Sequence, residues 1–208
     1  MADPAPQLPG WVTPLVSAVE AAAAADRTPI PEEARQSAVL LLLDAEPQLL
    51  LIERAANLRH HAGQPAFPGG AVDPGDGGPV GAALREAAEE VGVDPAGVQV
   101  IGTLPALYIR VSGFAVTPVL AWWRTPAPIR VVDTGEVARA VQVPVADLAD
   151  PANRVRVQHP SGRTGPGFRV AGMLVWGFTA ALIDQLLVLG GWARPWIPGP
   201  PQPPWALD

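Results

Sequence analysis

A short segment, Pro79–Val91, constrains the fold of this 208-residue chain more strongly than any other part of it. Pro79 suits the first position of a helix, and Gly92 suits the position just past the end of one. Between them, apolar residues recur at the spacing of one helix face, at Val80, Leu84, Ala87 and Val91. The segment is therefore predicted to be a helix with one apolar side.

The same helix carries three acidic residues, Glu86, Glu89 and Glu90. At spacings of i, i+3 and i, i+4 they are neighbours, and like charges so placed cost roughly 0.2–0.5 kcal/mol per pair. A hard divalent cation such as Mg²⁺ removes this repulsion, because it prefers carboxylate oxygens together with water and phosphate. On the helix pattern alone, a solvated face opposite the apolar residues is the simpler explanation.

A glycine-rich loop directly before the helix changes this balance. It runs from Phe67-Pro68-Gly69-Gly70 through Asp73 and Asp76 to two further glycines. Glycine allows the backbone to approach a ligand closely, and the N-terminal end of a helix attracts anions. Such a loop alone indicates only a tight turn. Followed by a helix that reads Arg-Glu-x-x-Glu-Glu-x-Gly, it favours a metal and phosphate site.

The remaining hydrophobic pattern predicts one domain of mixed α/β class. Further helices are predicted at Trp11–Ala25, Val145–Leu148 and Val175–Leu189. Strands are predicted at Gln36–Leu43, Gln48–Glu53, Val98–Leu104, Phe114–Trp123, Ala138–Val143 and Arg154–Gln158, the first two as a hairpin.

The chain is divided into three parts by this pattern. Residues 1–30 are expected to form a helical segment packed on the domain, and residues 31–193 the domain itself. Residues 194–208 are dominated by proline and are expected to form a poorly ordered tail.

Composition narrows the class of partner. The net charge is −6 and all the basic residues are scattered arginines, so no basic stripe for a nucleic acid is present. An anionic small substrate remains compatible with this charge, because a bound metal ion inverts the local field. There is no cysteine, which excludes disulfides and thiolate metal sites.

Two further observations concern location. The N-terminal residues carry no basic side chain, unlike a secretory signal. The apolar run Ala38–Leu43 is far shorter than the roughly 20 residues needed to span a membrane. We therefore expect a soluble, cytoplasmic protein without a membrane partner.

The segment from Gly70 to Val93 resembles the signature of the Nudix hydrolases. Asp76 stands where that signature usually has Glu, and the spacing from Asp76 to Arg85 is one residue longer than usual. Upstream, Leu50–Gly70 is similar to the extended motif of the coenzyme A diphosphatase subfamily, which typically shows the same two departures. Ser112-Gly113-Phe114 is also similar to that subfamily, and the resemblance weakens from Asp150 onward.

This resemblance implies a Nudix α/β/α sandwich with a mixed β-sheet and a site for Mg²⁺ or Mn²⁺. Glu86, Glu89 and Glu90 would bind the metal ion, together with the Gly70 carbonyl. Arg85, one helical turn before Glu89, would orient that carboxylate by a charged hydrogen bond, unless it forms only a surface ion pair.

The resemblance leaves two candidates for the base that activates water. Glu89 is preferred, and Glu136, in a later loop, is the alternative unless it is only a solvated turn residue. Glu90 is placed with Arg85 in the catalytic group. The residues expected to contact substrate are Arg54, Arg59, His60, His61, Gly69 and Gly70, in part because Arg is suited to phosphate. For the Arg and His residues the alternative is a solvated loop of mixed charge.

The implied reaction is hydrolysis of the diphosphate of coenzyme A or its derivatives to 3′,5′-ADP and 4′-phosphopantetheine or an acyl form. One alternative is a different substrate, such as ADP-ribose, NADH or a nucleoside triphosphate. A second is a non-catalytic nucleotide-binding module, and a third is a helix with an incidental acidic face. The partner is expected to be a small molecule, and the resemblance is compatible with a homodimer.

Overall fold

The computed structural model describes residues 7–24, 29–58 and 61–207. Four helices occur in these ranges: α1 (Val12–Ala23), α2 (Pro79–Val91), α3 (Val145–Ala149) and α4 (Gly177–Leu189). The strands are β1 (Arg35–Leu43), β2 (Gln48–Arg54), β3 (Pro65–Ala66), β4 (Gly69–Ala71), β5 (Val98–Thr103), β6 (Leu107–Ile109), β7 (Phe114–Trp123), β8 (Val137–Pro144), β9 (Arg154–Gln158), β10 (Thr164–Val170) and β11 (Met173–Val175). Short 3₁₀ turns lie at Pro74–Asp76, Pro95–Gly97, Pro151–Asn153 and Pro204–Ala206.

Eight of these strands form one mixed sheet. Its order is β3-β2-β1-β7-β5, with β4 paired to β1, β6 to β7 and β8 to β2. The central pair, β1 and β7, is parallel along its whole length, and the other pairs are antiparallel. The last three strands form a separate antiparallel sheet in the order β11-β10-β9.

The main sheet is covered on both faces. Successive side chains of a strand point to opposite faces, so Leu40 and Leu42 pack with α2 whereas Leu41 and Leu43 pack with α1 and α4. Burial on both faces explains why β1 is almost continuously apolar. The predicted α/β/α sandwich with a mixed sheet is confirmed.

The predicted hairpin is only partly correct. Both of its strands are present, but β1 and β2 pair only where Leu43 lies opposite Leu49. Beyond that point β1 pairs with β7 and β4, and β2 pairs with β8. The predicted C-terminal helix begins two residues later than expected, at Gly177, because Val175 pairs with Phe168 in the second sheet.

The prediction of a poorly ordered C-terminal tail is wrong. Gln202 pairs with β9: its carbonyl accepts the Gln158 N–H at 2.8 Å, and its own N–H donates to the Arg156 carbonyl at 3.1 Å. Leu207 is buried, and its carbonyl accepts a hydrogen bond from Arg169 Nη2 at 3.1 Å. The tail is thus held at two points.

Among the described residues, the structure contains no helix with the length and apolar character required to cross a bilayer.

Candidate functional site

The site lies where β4 passes across α2. A Cβ atom added to Gly70 would collide with the Glu86 carboxylate, and one added to Gly69 would collide with the Ala38 carbonyl on β1. Glycine at these two positions therefore lets the strand run between β1 and the acidic helix. The predicted close approach of the loop backbone is present, and its neighbour is a helix carboxylate.

Glu90 is the most unusual residue of the site. Only 2% of it is exposed, and its Oε2 accepts the Gly69 N–H at 3.1 Å. Its Oε1 is buried without a hydrogen-bond partner. Burial raises the pKa of Glu90 to about 8, although the Gly69 N–H acts in the opposite direction. A buried, half-satisfied carboxylate is costly for a fold and is typical of a functional position.

The three glutamates therefore do not share a solvated face. Glu90 is buried on the same side of α2 as Ala83 and Ala87, Glu86 is half-buried, and only Glu89 is exposed. Burial also raises the pKa of Glu86 above its ordinary value, against the effect of the Arg85 hydrogen bond. The alternative of an incidental wet face is contradicted for Glu90.

Arg85 joins the helix to the loop before it. Its Nε and Nη2 donate to the two oxygens of Asp76 at 2.8 and 3.1 Å, and Nη2 also donates to the Ala71 carbonyl at 3.1 Å. Its Nη1 donates to Glu86 Oε1 and Glu89 Oε2, each at 2.9 Å. Arg85 thus makes the expected contact with Glu89 as part of a larger network than a surface ion pair.

Asp76 is the fixed end of this network. Its side chain is 5% exposed, and its Oδ2 accepts the Asp73 N–H at 2.7 Å. The hydrogen bonds from Arg85 lower the pKa of this carboxyl below its ordinary value. In the sequence, Asp76 was recognised as part of the signature but was assigned no role. The structure shows that it is the bidentate partner of Arg85.

The Gly70 carbonyl, which was expected to bind metal, points away from the acidic helix. In the β1–β4 ladder, the Leu40 N–H donates to the Pro68 carbonyl at 2.8 Å. Gly70 lies two residues after Pro68 in the same register, opposite Ala38. Because antiparallel ladders alternate, the Gly70 carbonyl points to β1. The Gly69 and Ala71 carbonyls point instead toward α2, so Gly69 is the better candidate.

The loop that contains Val132 and Glu136 is hydrogen-bonded to the C-terminal end of α2. The Glu90 carbonyl accepts the Val132 N–H at 2.9 Å, and Asp133 Oδ1 accepts the N–H groups of Gly135 and Glu136 at 2.8 and 3.2 Å. The charge of Glu136 raises the pKa of both Glu86 and Glu90, which places its exposed carboxylate near them. Sequence reasoning missed Asp133, although an Asp followed two residues later by Gly is typical of a turn.

The Arg and His residues predicted to contact substrate separate into three groups. Arg54, at the irregular end of β2, lies close enough to Glu90 for its positive charge to lower the pKa of that carboxyl. His61 is on an exposed part of the following loop, with its Nδ1 2.8 Å from Gln64 Oε1. Arg59 and His60 lie outside the described residues.

The donor set is suited to a hard divalent cation but is not assembled around one. Within the described ranges, no three His, Asp or Glu side chains converge as they would to hold a metal ion. Glu86 and Glu89 are held by Arg85, and Glu90 is turned toward Gly69. The buried Oε1 of Glu90 has no partner, and a bound cation would satisfy it and reduce the repulsion from Glu86.

A profile of the NUDIX domain family matches residues 33–161, more than half of the chain. The chain belongs to the Nudix family. It is 45% identical over 161 residues to NudL of Cronobacter sakazakii, which covers 73% of this chain and 81% of that protein. NudL of Escherichia coli K12 is 42% identical over the same shares of both chains. Both are named as uncharacterised Nudix hydrolases, and this chain is likewise a Nudix hydrolase.

A solved structure supports the fold. The Nudix hydrolase RenU of M. smegmatis is 20% identical to this chain, covers 78% of it and 89% of its own length, and has a TM-score of 0.54. At this identity the likeness concerns the fold alone, which agrees with the mixed sheet between helices described above.

Proposed function

We propose that this Nudix hydrolase cuts the diphosphate of coenzyme A or a coenzyme A derivative, with Mg²⁺ or Mn²⁺ as cofactor. The products would be 3′,5′-ADP and 4′-phosphopantetheine or its acyl form. The observation that carries the metal-dependent reaction is the buried Oε1 of Glu90, which lacks a partner between the glycine loop and two other carboxylates. The choice of coenzyme A is supported by the extended motif of Leu50–Gly70.

The residues that would hold the metal ion are Glu86, Glu89, Glu90 and the Gly69 carbonyl. When bound, such an ion polarises a phosphoryl oxygen and lowers the pKa of a coordinated water. Arg85 would then keep Glu86 and Glu89 oriented while remaining anchored to Asp76. This anchoring fixes the carboxylates relative to the glycine loop.

Substrate positioning would fall to the basic residues at the end of β2. Phosphoryl transfer depends mainly on in-line positioning and on neutralising charge at the phosphate oxygens. Arg54 is near Glu90 and can bind a phosphate oxygen through two N–H groups. We extend this role to Arg59, His60 and His61 in the loop that follows, since coenzyme A carries both a diphosphate and a 3′-phosphate.

Glu89 remains our preferred base, and Glu136 the alternative. Glu89 is exposed and oriented by Arg85, whereas Glu136 is exposed and positioned through Asp133. We expect Glu89→Gln to lower kcat by roughly 10²–10⁴-fold and Glu136→Gln to have a smaller effect. Steady-state kinetics with coenzyme A would compare the two, and the reverse order would identify Glu136 as the base.

A substrate panel tests the proposed function. The purified chain is incubated with Mg²⁺ or Mn²⁺ and with coenzyme A, ADP-ribose, NADH or a nucleoside triphosphate, and products are identified by mass spectrometry. We expect 3′,5′-ADP from coenzyme A at the highest kcat/KM. A preference for ADP-ribose of more than about tenfold would overturn the substrate assignment. Absence of turnover on the whole panel would favour a non-catalytic nucleotide-binding module.

A further inference from the structure

A groove lies beside β3, on the face of the main sheet opposite α2. It has a volume of about 420 Å³. Met173, which lines it, belongs to the apolar cluster of α1 and α4, and the α2 cluster lies on the other face of the sheet. We propose that this groove, walled by Trp176 and the tail residue Trp205, binds the uncharged, amide-containing arm attached to the diphosphate of the substrate. This proposal rests on the proposed function.

The groove and the carboxylate site meet at the end of one strand pair. The Arg54 N–H donates to the Gln64 carbonyl at 3.1 Å, and the Gly63 N–H donates to the Arg54 carbonyl at 3.0 Å. Gln64 and Gly63 line the groove, whereas the charge of Arg54 acts on Glu90. Arg54, Gly63 and Gln64 thus lie together at one end of the β2–β3 pair, and a ligand can pass over that end from one region to the other.

The groove is suited to a ligand without charge. Among the described residues that line it, Glu53 is the only ionisable one, and its Oε2 accepts a hydrogen bond from Arg139 Nε at 2.6 Å. The Gln64 amide and two indoles offer hydrogen-bonding groups and apolar surface together. The lining of the groove thus presents more polar than apolar surface, which suits an arm that carries amide groups.

In the C-terminal tail, the side chain of Trp205 is exposed although the backbone on either side of it is fixed. Trp205 is 69% exposed, yet the chain on either side is fixed by the Gln202 pairing with β9 and by the buried Leu207. An exposed indole on a fixed backbone provides a large apolar surface at little cost in conformational entropy, which is characteristic of binding surfaces. The tail thus has a role as one side of the groove.

The test compares Trp205→Ala and Trp176→Ala with wild type on coenzyme A, and measures binding of 4′-phosphopantetheine and 3′,5′-ADP by calorimetry. We expect KM for coenzyme A to rise roughly tenfold with kcat little changed, because uniform binding is lost. Affinity for 4′-phosphopantetheine should fall in parallel, and affinity for 3′,5′-ADP should stay the same. Trp205→Phe should restore most of the affinity. Ile197→Ala, at a tail position that is 96% exposed and outside the groove, is the matched control.

The possible results test the proposed groove and the proposed reaction independently of each other. An unchanged KM in both tryptophan variants of an enzyme that cleaves coenzyme A would overturn the groove and leave the proposed function intact. An equal loss of affinity for 3′,5′-ADP would also overturn it, since that nucleotide has no arm. If wild type does not cleave coenzyme A, the proposed function fails, and absence of 4′-phosphopantetheine binding to wild type then overturns the groove as a separate result.

Discussion

At the scale of single residues, the buried Glu90 carboxyl makes stability depend on pH. Burial raises its pKa to about 8 in the folded protein, compared with an ordinary value of 4.5. Between these values the folded, metal-free chain binds a proton that the unfolded chain does not, so the free energy of unfolding falls as pH rises. We expect this loss in wild type with EDTA, and a flatter dependence in Glu90→Gln. Urea unfolding at about pH 5 and about pH 8 measures it; parallel pH dependences in the two proteins would contradict the assignment.

Arg85 gives a second prediction at this scale. Lysine keeps the charge but cannot form the two parallel hydrogen bonds to Asp76 while also contacting Glu86 and Glu89. We expect Arg85→Lys to lower kcat/KM by roughly 100-fold through misplaced carboxylates, with the fold retained. Arg124→Lys is the control, because within the described residues the Arg124 side chain donates a hydrogen bond only to the Ala96 carbonyl, at 3.0 Å. Equal activities of the two variants would show that the network does not position the site.

At the scale of elements, the close passage of β4 over α2 predicts different effects for neighbouring glycines. In Gly70→Ala the new Cβ would displace the Glu86 carboxylate, which is the far end of a flexible side chain. We therefore expect activity to fall steeply while the melting temperature changes little. Gly75→Ala, in the same loop with open space at its Cβ, should retain activity. Activity and thermal unfolding of both variants decide the matter, and a fully active Gly70→Ala would argue against this account.

The elements differ in how far local sequence predicts them. The bounds of α2 follow from Pro79 and Gly92, so the predicted helix and the structure agree. Strand β10 was not predicted, because Gly165, Pro166 and Gly167 indicate a loop and the strand exists only through pairing with β9 and β11. The burial of Glu90 was missed for a similar reason, since it is caused by β4 and by the later loop rather than by the period of its own helix.

At the scale of the whole molecule, the carboxylate site and the proposed groove lie on different faces of the main sheet. The α2 face carries the carboxylates and the glycine strand, and the α4 face carries the second sheet and the tail that form the groove. Sequence patterns identified residues of the first face because they lie within one loop and one helix. The tail residues were missed because they lie more than 100 positions from Gly63 and Gln64, whose groove they complete.

This arrangement predicts that metal binding stabilises the whole domain. The proposed donors come from α2 and from β4, which lies between that helix and the central strand β1, so one ion would link the helix to the sheet. A ligand that binds only the folded state adds about 2.7 kcal/mol at a hundredfold excess over its Kd. We expect millimolar Mg²⁺ or Mn²⁺ to raise the melting temperature of wild type and of Glu46→Gln, a surface control. In Glu90→Gln the same addition should have little effect, because the buried donor is gone. A stabilisation of equal size in all three proteins would place the ion elsewhere.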